Sequence, residues 1–237
     1  ELVSSDKGLL VWDKEKEAYR RARLGDIVIL LRSMTGWSEV FVNVLMNEGI
    51  PASAQTRTGY FNTVEVETIL SLLSVIDNPM QDIPLAAVMR SPIVGMSDEE
   101  MAWMVAAFKK NSKKGQDRGV YGAWSMWMEP DSETVQKVPE EAAASIRKKL
   151  SCLSGLLETL RREAGYLPIH ELLYRVYRDS GYYDYVSAMP AGETRRGNLD
   201  MLVEKAAAYE ATSYKGLFHF IRYIERLKKY ETDFGEA

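Results

Sequence analysis

From Val66 onward the apolar residues of this chain recur at three- and four-residue spacing, and a chain patterned that way buries them by packing helix on helix. Val66, Ile69, Leu70, Leu73 and Ile76 form one stripe, closed by Asp77-Asn78-Pro79. A second runs through Ile146, Leu150, Leu153, Leu157 and Leu160, and a third through Leu172, Leu173, Val176 and Tyr177. Leu199, Leu202, Val203 and Ala206 make a fourth, and Leu217, Phe220, Ile221, Ile224 and Leu227 a fifth. NSKKGQDRG and MEPDSETVQKVPEE lie between as polar loops punctuated by glycine or proline. No internal repeat or low-complexity tract interrupts the pattern. Residues 81–235 are expected to form a helical domain.

The first 80 residues read differently. Leu9 to Trp12, a charged turn at Asp13–Glu17 and a polar return through Tyr19 predict a hairpin. Ile27 to Leu31 are five apolar residues in a row, the pattern of a strand buried on both faces in a parallel sheet. Trp37, Val40, Phe41, Val44 and Leu45 then mark one helical face, Gly49 ends it, and Ile50-Pro51 leads into strand-like ASAQT. Strand, helix and strand in this space make a βαβ unit, too small for a complete sheet, whose other strands are expected elsewhere. The fold class is therefore mainly α with a small α/β portion. Arg32, at the end of the apolar run, sits where open α/β sheets place their ligands. It is either a surface charge or a group aimed at an anion.

Thirty basic against 34 acidic residues leave a formal charge of −4, which argues against nucleic-acid binding through the whole surface but not through a local patch. Cys152 is the single cysteine, so no disulfide forms within the chain; a reducing compartment fits, with the thiol buried as a small hydrophobe. No apolar run reaches the length of a membrane span, and no signal peptide is present, so no membrane partner is expected. The chain begins at Glu1 and is expected to be a segment of something larger.

Self-contained catalytic chemistry is missing from the sequence. There is no G-x-x-x-x-G-K-[ST] loop to cradle phosphates and no G-x-S-x-G elbow. Asp98-Glu99-Glu100-Met101 mimics a magnesium-binding acidic box, but no apolar strand precedes it, and it reads as a helix start. His170 and His219 lack partners at ligand spacing, so no metal site is expected. Glu65 and Glu67, two apart, would point away from each other on a helix.

Two constellations remain. Ser91 to Glu100 joins two helices through Gly95-Met96-Ser97, and Ser97 with Glu100 makes an S-x-x-E capping box. Such a turn either presents backbone N–H groups to a phosphate or simply caps its own helix. Lys109, Lys110, Lys113, Lys114 and Arg118, opposed by Asp117 alone, are either a solvated loop or a phosphate patch. Arg161-Arg162 and Arg195-Arg196 are weaker forms of the same signal.

The order GDIVILLRS, GIP, then GYFNTVEVETILSLLSVIDNPMQDIPLAAVMRSPIVGMS resembles the start of the second RecA-like lobe of UvrD-type superfamily 1 helicases. LLSVIDNPMQDIPLAAVMRSPI, GNLDMLVEKAAAYE and YKGLFHFIRYIERL narrow it to bacterial helicase/nucleases of double-strand-break repair, which pair with an AddB-like second subunit in a heterodimer. The resemblance implies that residues 1–80 open a RecA-like (P-loop NTPase) lobe and that residues 81–235 are a helical subdomain inserted into it. It implies a cytoplasmic bacterial protein that uses ATP and Mg in its full-length form, acts on duplex and single-stranded DNA, and binds neither cofactor through this segment alone. In the family the arginine ending the IVILLR strand reaches the γ-phosphate of ATP across the cleft between lobes; here that is Arg32. The next family motif falls on Tyr60, Phe61 and Glu65. The glycine hairpin that touches the duplex backbone falls on Gly95, Met96 and Ser97, with Ser97 where relatives often have a second glycine. The reading opposed to this motor segment is a non-enzymatic helical scaffold that binds a protein partner.

Overall fold

A computed structural model describes residues 8–14, 16–30, 32, 37–52, 60–111, 119–129, 138–211 and 216–233. They fall into two compact units, one of residues up to Thr58 together with Asp233 and the other spanning Gly59–Thr232.

In the first unit the expected hairpin forms. Strands β1 (Leu10–Asp13) and β2 (Ala18–Arg21) pair antiparallel, with Trp12 opposite Tyr19. Those two rings meet edge to face at 5.0 Å, a cross-strand pair of the kind that stabilises two-stranded ribbons. Arg20 holds the next turn: its guanidinium donates to both Asp26 oxygens at 2.6 and 2.7 Å and to Asp13 at 3.1 Å. The Arg20 fork, helped by the Arg23 amide, keeps the Asp26 carboxyl well below the usual carboxylate range.

The expected buried strand does not form. Ile27, Val28, Ile29 and Leu30 follow a 3-10 turn at Leu24–Asp26 without entering a sheet, and they are 53, 73, 50 and 90% exposed. A strand buried on both faces needs paired neighbours and covering helices. Among the described residues of this unit the only sheet is the β1–β2 ribbon. Leu31 and residues 53–56 of ASAQT lie outside the described residues. Helix α1 (Ser38–Asn47) forms where its periodicity places it. It ends as expected, with Gly49 at φ +75° and the Ile50 amide donating back to the Leu45 carbonyl at 2.8 Å. Its apolar face is open: Trp37, Val40 and Val44 are all more than half exposed.

The second unit is helical. Helix α2 (Val64–Asp77) packs against α3 (Asp82–Arg90), α6 (Glu140–Ala164) and α9 (Gly192–Glu210). That three-sided contact buries Leu72 and Val75 as fully as the stripe read from the sequence. A helix apolar nearly all round is a central one. Helices α4 (Asp98–Asn111) and α5 (Gly119–Met128) pack on each other, and Trp127 donates its indole N–H to the Met104 carbonyl at 3.2 Å. Helix α7 (Ile169–Ser180) starts behind Pro168 and stops at Gly181, whose φ of 64° suits glycine. Helices α8 (Tyr182–Ser187) and α10 (Leu217–Asp233) complete the unit. One continuous apolar core runs through it from Phe61 to Ile224. By packing, α2 lies in the same compact unit as the helices that follow it. Cys152 corrects another expectation: it is exposed, because Ile146, Leu150, Leu153 and Leu157 carry the buried face of α6 and position 152 turns away from it.

Candidate functional site

Arg32 is exposed at a bend beyond the apolar run. That exposure fits a surface charge as well as a group aimed at an anion.

The Gly95 turn is built from local sequence. Gly95 takes φ +69°, and a Cβ there would meet no atom within 4 Å, so backbone conformation alone selects glycine. The capping box forms in both directions: the Ser97 amide donates to Glu100 Oε2 at 2.8 Å, and the Glu100 amide donates to Ser97 Oγ at 3.1 Å. The Gly95 amide donates to the Ser91 carbonyl at 2.7 Å and the Met96 amide to the Met89 carbonyl at 2.9 Å. All three amides of Gly95-Met96-Ser97 are thus engaged inside the fold. The Met96 side chain is itself in the core at 3% exposure, while Gly95 and Ser97 face outward. This is the self-capping alternative, and it removes the amide cradle that a phosphate would need.

Lys149 on α6 fastens the turn. Its ammonium donates to the Gly95 carbonyl at 2.8 Å and to both Glu100 oxygens at 3.0 and 2.7 Å, while Ser145 Oγ donates to Glu100 at 2.6 Å. Burial opposes the charge of Glu100, but hydrogen bonds from Lys149, Ser145 and the Ser97 amide outweigh it and bring the carboxyl down to about 2. Arg90 pairs with Asp98 beside it. Asp98 and Glu100 are therefore structural partners of cations; among the described residues no cluster of three or more potential ligands could hold a metal ion.

Of the basic run, Lys109 and Lys110 belong to the last turn of α4, and Lys113, Lys114 and Arg118 lie outside the described residues.

A further cluster brings together residues far apart in the chain. Tyr60 and Phe61 form a 3-10 turn with Asn62 that runs into α2, and Glu65 in the first turn of α2 is 3% exposed. Glu67, as expected, points the other way and reaches Lys228 at 3.3 Å. Each oxygen of Glu65 has one donor from α9: Asn198 Nδ2 at 2.7 Å and Arg195 Nη1 at 2.8 Å. Arg195 Nε also donates to the Pro190 carbonyl at 3.1 Å. Its charge is thus committed within the fold rather than offered to a phosphate. Tyr60 Oη donates to the Asn198 carbonyl at 2.7 Å. The Lys205 ammonium stands 5.4 Å from the centroid of the Tyr60 ring and 5.5 Å from that of Phe61. Sequence reading named Tyr60, Phe61 and Glu65 but missed Arg195, Asn198 and Lys205 as their partners. The available signal was spacing: positions 195, 198, 202 and 205 fall on one helical stripe, where polar residues flank the apolar Leu202.

No protein-family model matches the chain. Curated relatives do. The A subunit of the ATP-dependent helicase/nuclease from Lachnoclostridium phytofermentans is 41% identical over 100% of this chain and 19% of its own length. The protein of the same name from Acetivibrio thermocellus is 43% identical over 96% of the chain and 17% of its own length. That from Bacillus cereus is 41% identical over 98% of the chain and 18% of its length. The chain belongs to this helicase/nuclease family. It spans less than a fifth of the length of these relatives. No phosphate-binding loop of the G-x-x-x-x-G-K-[ST] type occurs within its 237 residues.

Proposed function

We propose that this chain is part of AddA, the ATP-dependent DNA helicase and nuclease that works with an AddB-like partner in double-strand-break repair in the bacterial cytoplasm. Identity of 41–43% over essentially the whole chain to ATP-dependent helicase/nucleases is the observation that carries the reading. Residues 1–80 then open the second RecA-like lobe, and residues 81–235 are the helical subdomain inserted into it. The exposed Ile27–Leu30 segment agrees with a strand that pairs only within a complete lobe.

Arg32 supplies the nucleotide-facing charge. A planar, permanently charged guanidinium matches phosphate oxygens in a two-pronged way that an ammonium does not. Bound ATP with Mg brings the transferable phosphoryl group. Arg32 contributes positive charge to its oxygens when the lobes close, which couples closure to turnover. Duplex contact at the Gly95 turn runs through the outward Ser97 hydroxyl, since the amides of the turn and the Gly95 carbonyl are engaged within the fold, with Lys109, Lys110, Lys113, Lys114 and Arg118 adding phosphate attraction. Purified full-length enzyme with its partner subunit, assayed for DNA-stimulated ATP hydrolysis and strand separation, tests the reading. Absence of both activities would favour the protein-binding scaffold instead.

A further inference from the structure

The cluster between α2 and α9 is more elaborate than packing requires. Phe61 and Val66, at 1 and 0% exposure, already anchor the start of α2 in the core. Glu65 is the only carboxylate among the buried residues described. A buried carboxylate is costly to desolvate, and an apolar residue of similar volume is often at least as stabilising. Its value lies in geometry: two charge-assisted hydrogen bonds admit one relative placement of α2 and α9, where apolar packing admits several.

That placement matters because of its position in the chain. Tyr60–Glu65 is the first described stretch after the N-terminal unit, so it is the covalent entry into the helical unit. Arg195, Asn198 and Lys205 grip it through Glu65, the Tyr60 hydroxyl and the two aromatic rings. From there α2 packs on α3, and the Met89 carbonyl of α3 holds the amide of Met96 in the Gly95 turn.

We propose that Arg195, Asn198 and Lys205 are positioning residues that lock the entry segment Tyr60–Glu65 to α9, so that movement of the N-terminal unit during ATP turnover is delivered to α2, α3 and the Gly95 turn as one body. The proposal rests on the helicase reading. Loss of the grip leaves the nucleotide chemistry in place and lets the entry segment yield, so hydrolysis continues with less strand separation for each ATP consumed.

The test uses the full-length enzyme with its partner subunit. Lys205 is half-buried, so Lys205→Gln removes the charge and keeps most of the stem, whereas Lys205→Arg retains the cation over the rings. Arg195→Gln removes the charge that faces the buried Glu65 carboxylate. In each preparation, DNA-stimulated ATP hydrolysis, base pairs unwound per ATP, and the melting temperature are measured together. We expect Lys205→Gln to lower the base pairs unwound per ATP by about two- to fivefold, the range that a cation–π contact of ordinary strength carries. Lys205→Arg should restore most of that loss, and Arg195→Gln should lower the ratio further than Lys205→Gln does. Hydrolysis should stay within about twofold of wild type in the Lys205 variants, since neither touches nucleotide. An unchanged ratio in both Lys205→Gln and Arg195→Gln would overturn the proposal, even if melting temperatures fell, because the cluster would then be purely structural. A wild-type enzyme without DNA-stimulated hydrolysis would overturn the helicase reading, and the proposal with it.

Discussion

Glu65 and Arg195 stand 130 positions apart in the chain, and their side chains meet at 2.8 Å, with the carboxylate buried and the guanidinium about one-third exposed. A pair so placed is asymmetric under mutation. Arg195→Ala leaves a buried carboxylate supported by Asn198 alone, and breaking such a pair costs about 3 kcal/mol. Glu65→Gln leaves no buried charge; its one amide oxygen accepts from Arg195 while its NH2 meets Asn198, whose amide must turn over to present its oxygen, and the change should cost less than half as much. Urea denaturation of the two variants beside wild type checks the order; equal losses would mean that leaving the buried carboxylate without Arg195 carries no extra penalty.

Lys149 and Glu100 predict a pH dependence. The folded state holds the Glu100 carboxyl at about 2, below its ordinary value, so the unfolded chain binds the proton more readily as pH falls. The contribution is therefore fully present above the usual carboxylate range and disappears as pH drops toward 2. Lys149→Met removes the ammonium that helps to lower it. The difference in melting temperature between wild type and Lys149→Met should be large at pH 7 and shrink steadily below about pH 4.

Arg32→Ala in the full-length enzyme should leave folding and ATP binding largely intact and reduce turnover by at least about a hundredfold, below the ~10³ to 10⁵ that arginine fingers contribute because a second arginine outside this chain shares the task. Arg32→Lys should recover little of it, since one ammonium does not reproduce the two-pronged contact. Turnover at saturating ATP and DNA decides the matter, and a near-wild-type rate in Arg32→Ala would remove the γ-phosphate role.

The isolated chain should hydrolyse no ATP, because the phosphate loop and magnesium-binding acids that this chemistry needs are absent from its sequence. It should still bind duplex DNA without sequence preference, with a dissociation constant on the order of 10⁻⁴ to 10⁻⁶ M that weakens steeply with salt. Fluorescence anisotropy at two salt concentrations measures this. Replacing Lys109, Lys110, Lys113 and Lys114 by glutamine should abolish the salt-dependent part. An unaffected quadruple variant would move the contact elsewhere on the unit.

Gly95→Ala tests the turn without touching a neighbour. At φ +69° a Cβ strains the backbone although nothing crowds it, so a loss of roughly 1–2 kcal/mol is expected from conformation alone. A shift in the melting temperature of the chain reports it, and no shift would mean that the turn relaxes freely.

Features decided within one or two turns of backbone were legible in the sequence. The helical stripes became helices, the Trp12–Tyr19 hairpin closed, Gly49 ended α1, and Ser97 and Glu100 capped α4 reciprocally. Each depends on periodicity, a φ preference or a side chain reaching a nearby amide, and such energies are set locally. The strand expected at Ile27–Leu31 failed as a prediction because burial on both faces is not a local property; it needs strands and helices supplied from outside the segment. Cys152 and Met96 were likewise settled by which side of a helix or turn met the core. The partners of Glu65 lay furthest beyond reach. A carboxylate at the start of α2 reads locally as a favourable helix-dipole charge exposed to water. Only the packing of α9 across α2, driven by apolar surfaces that carry no instruction about charge, brought Arg195 and Asn198 to its two oxygens.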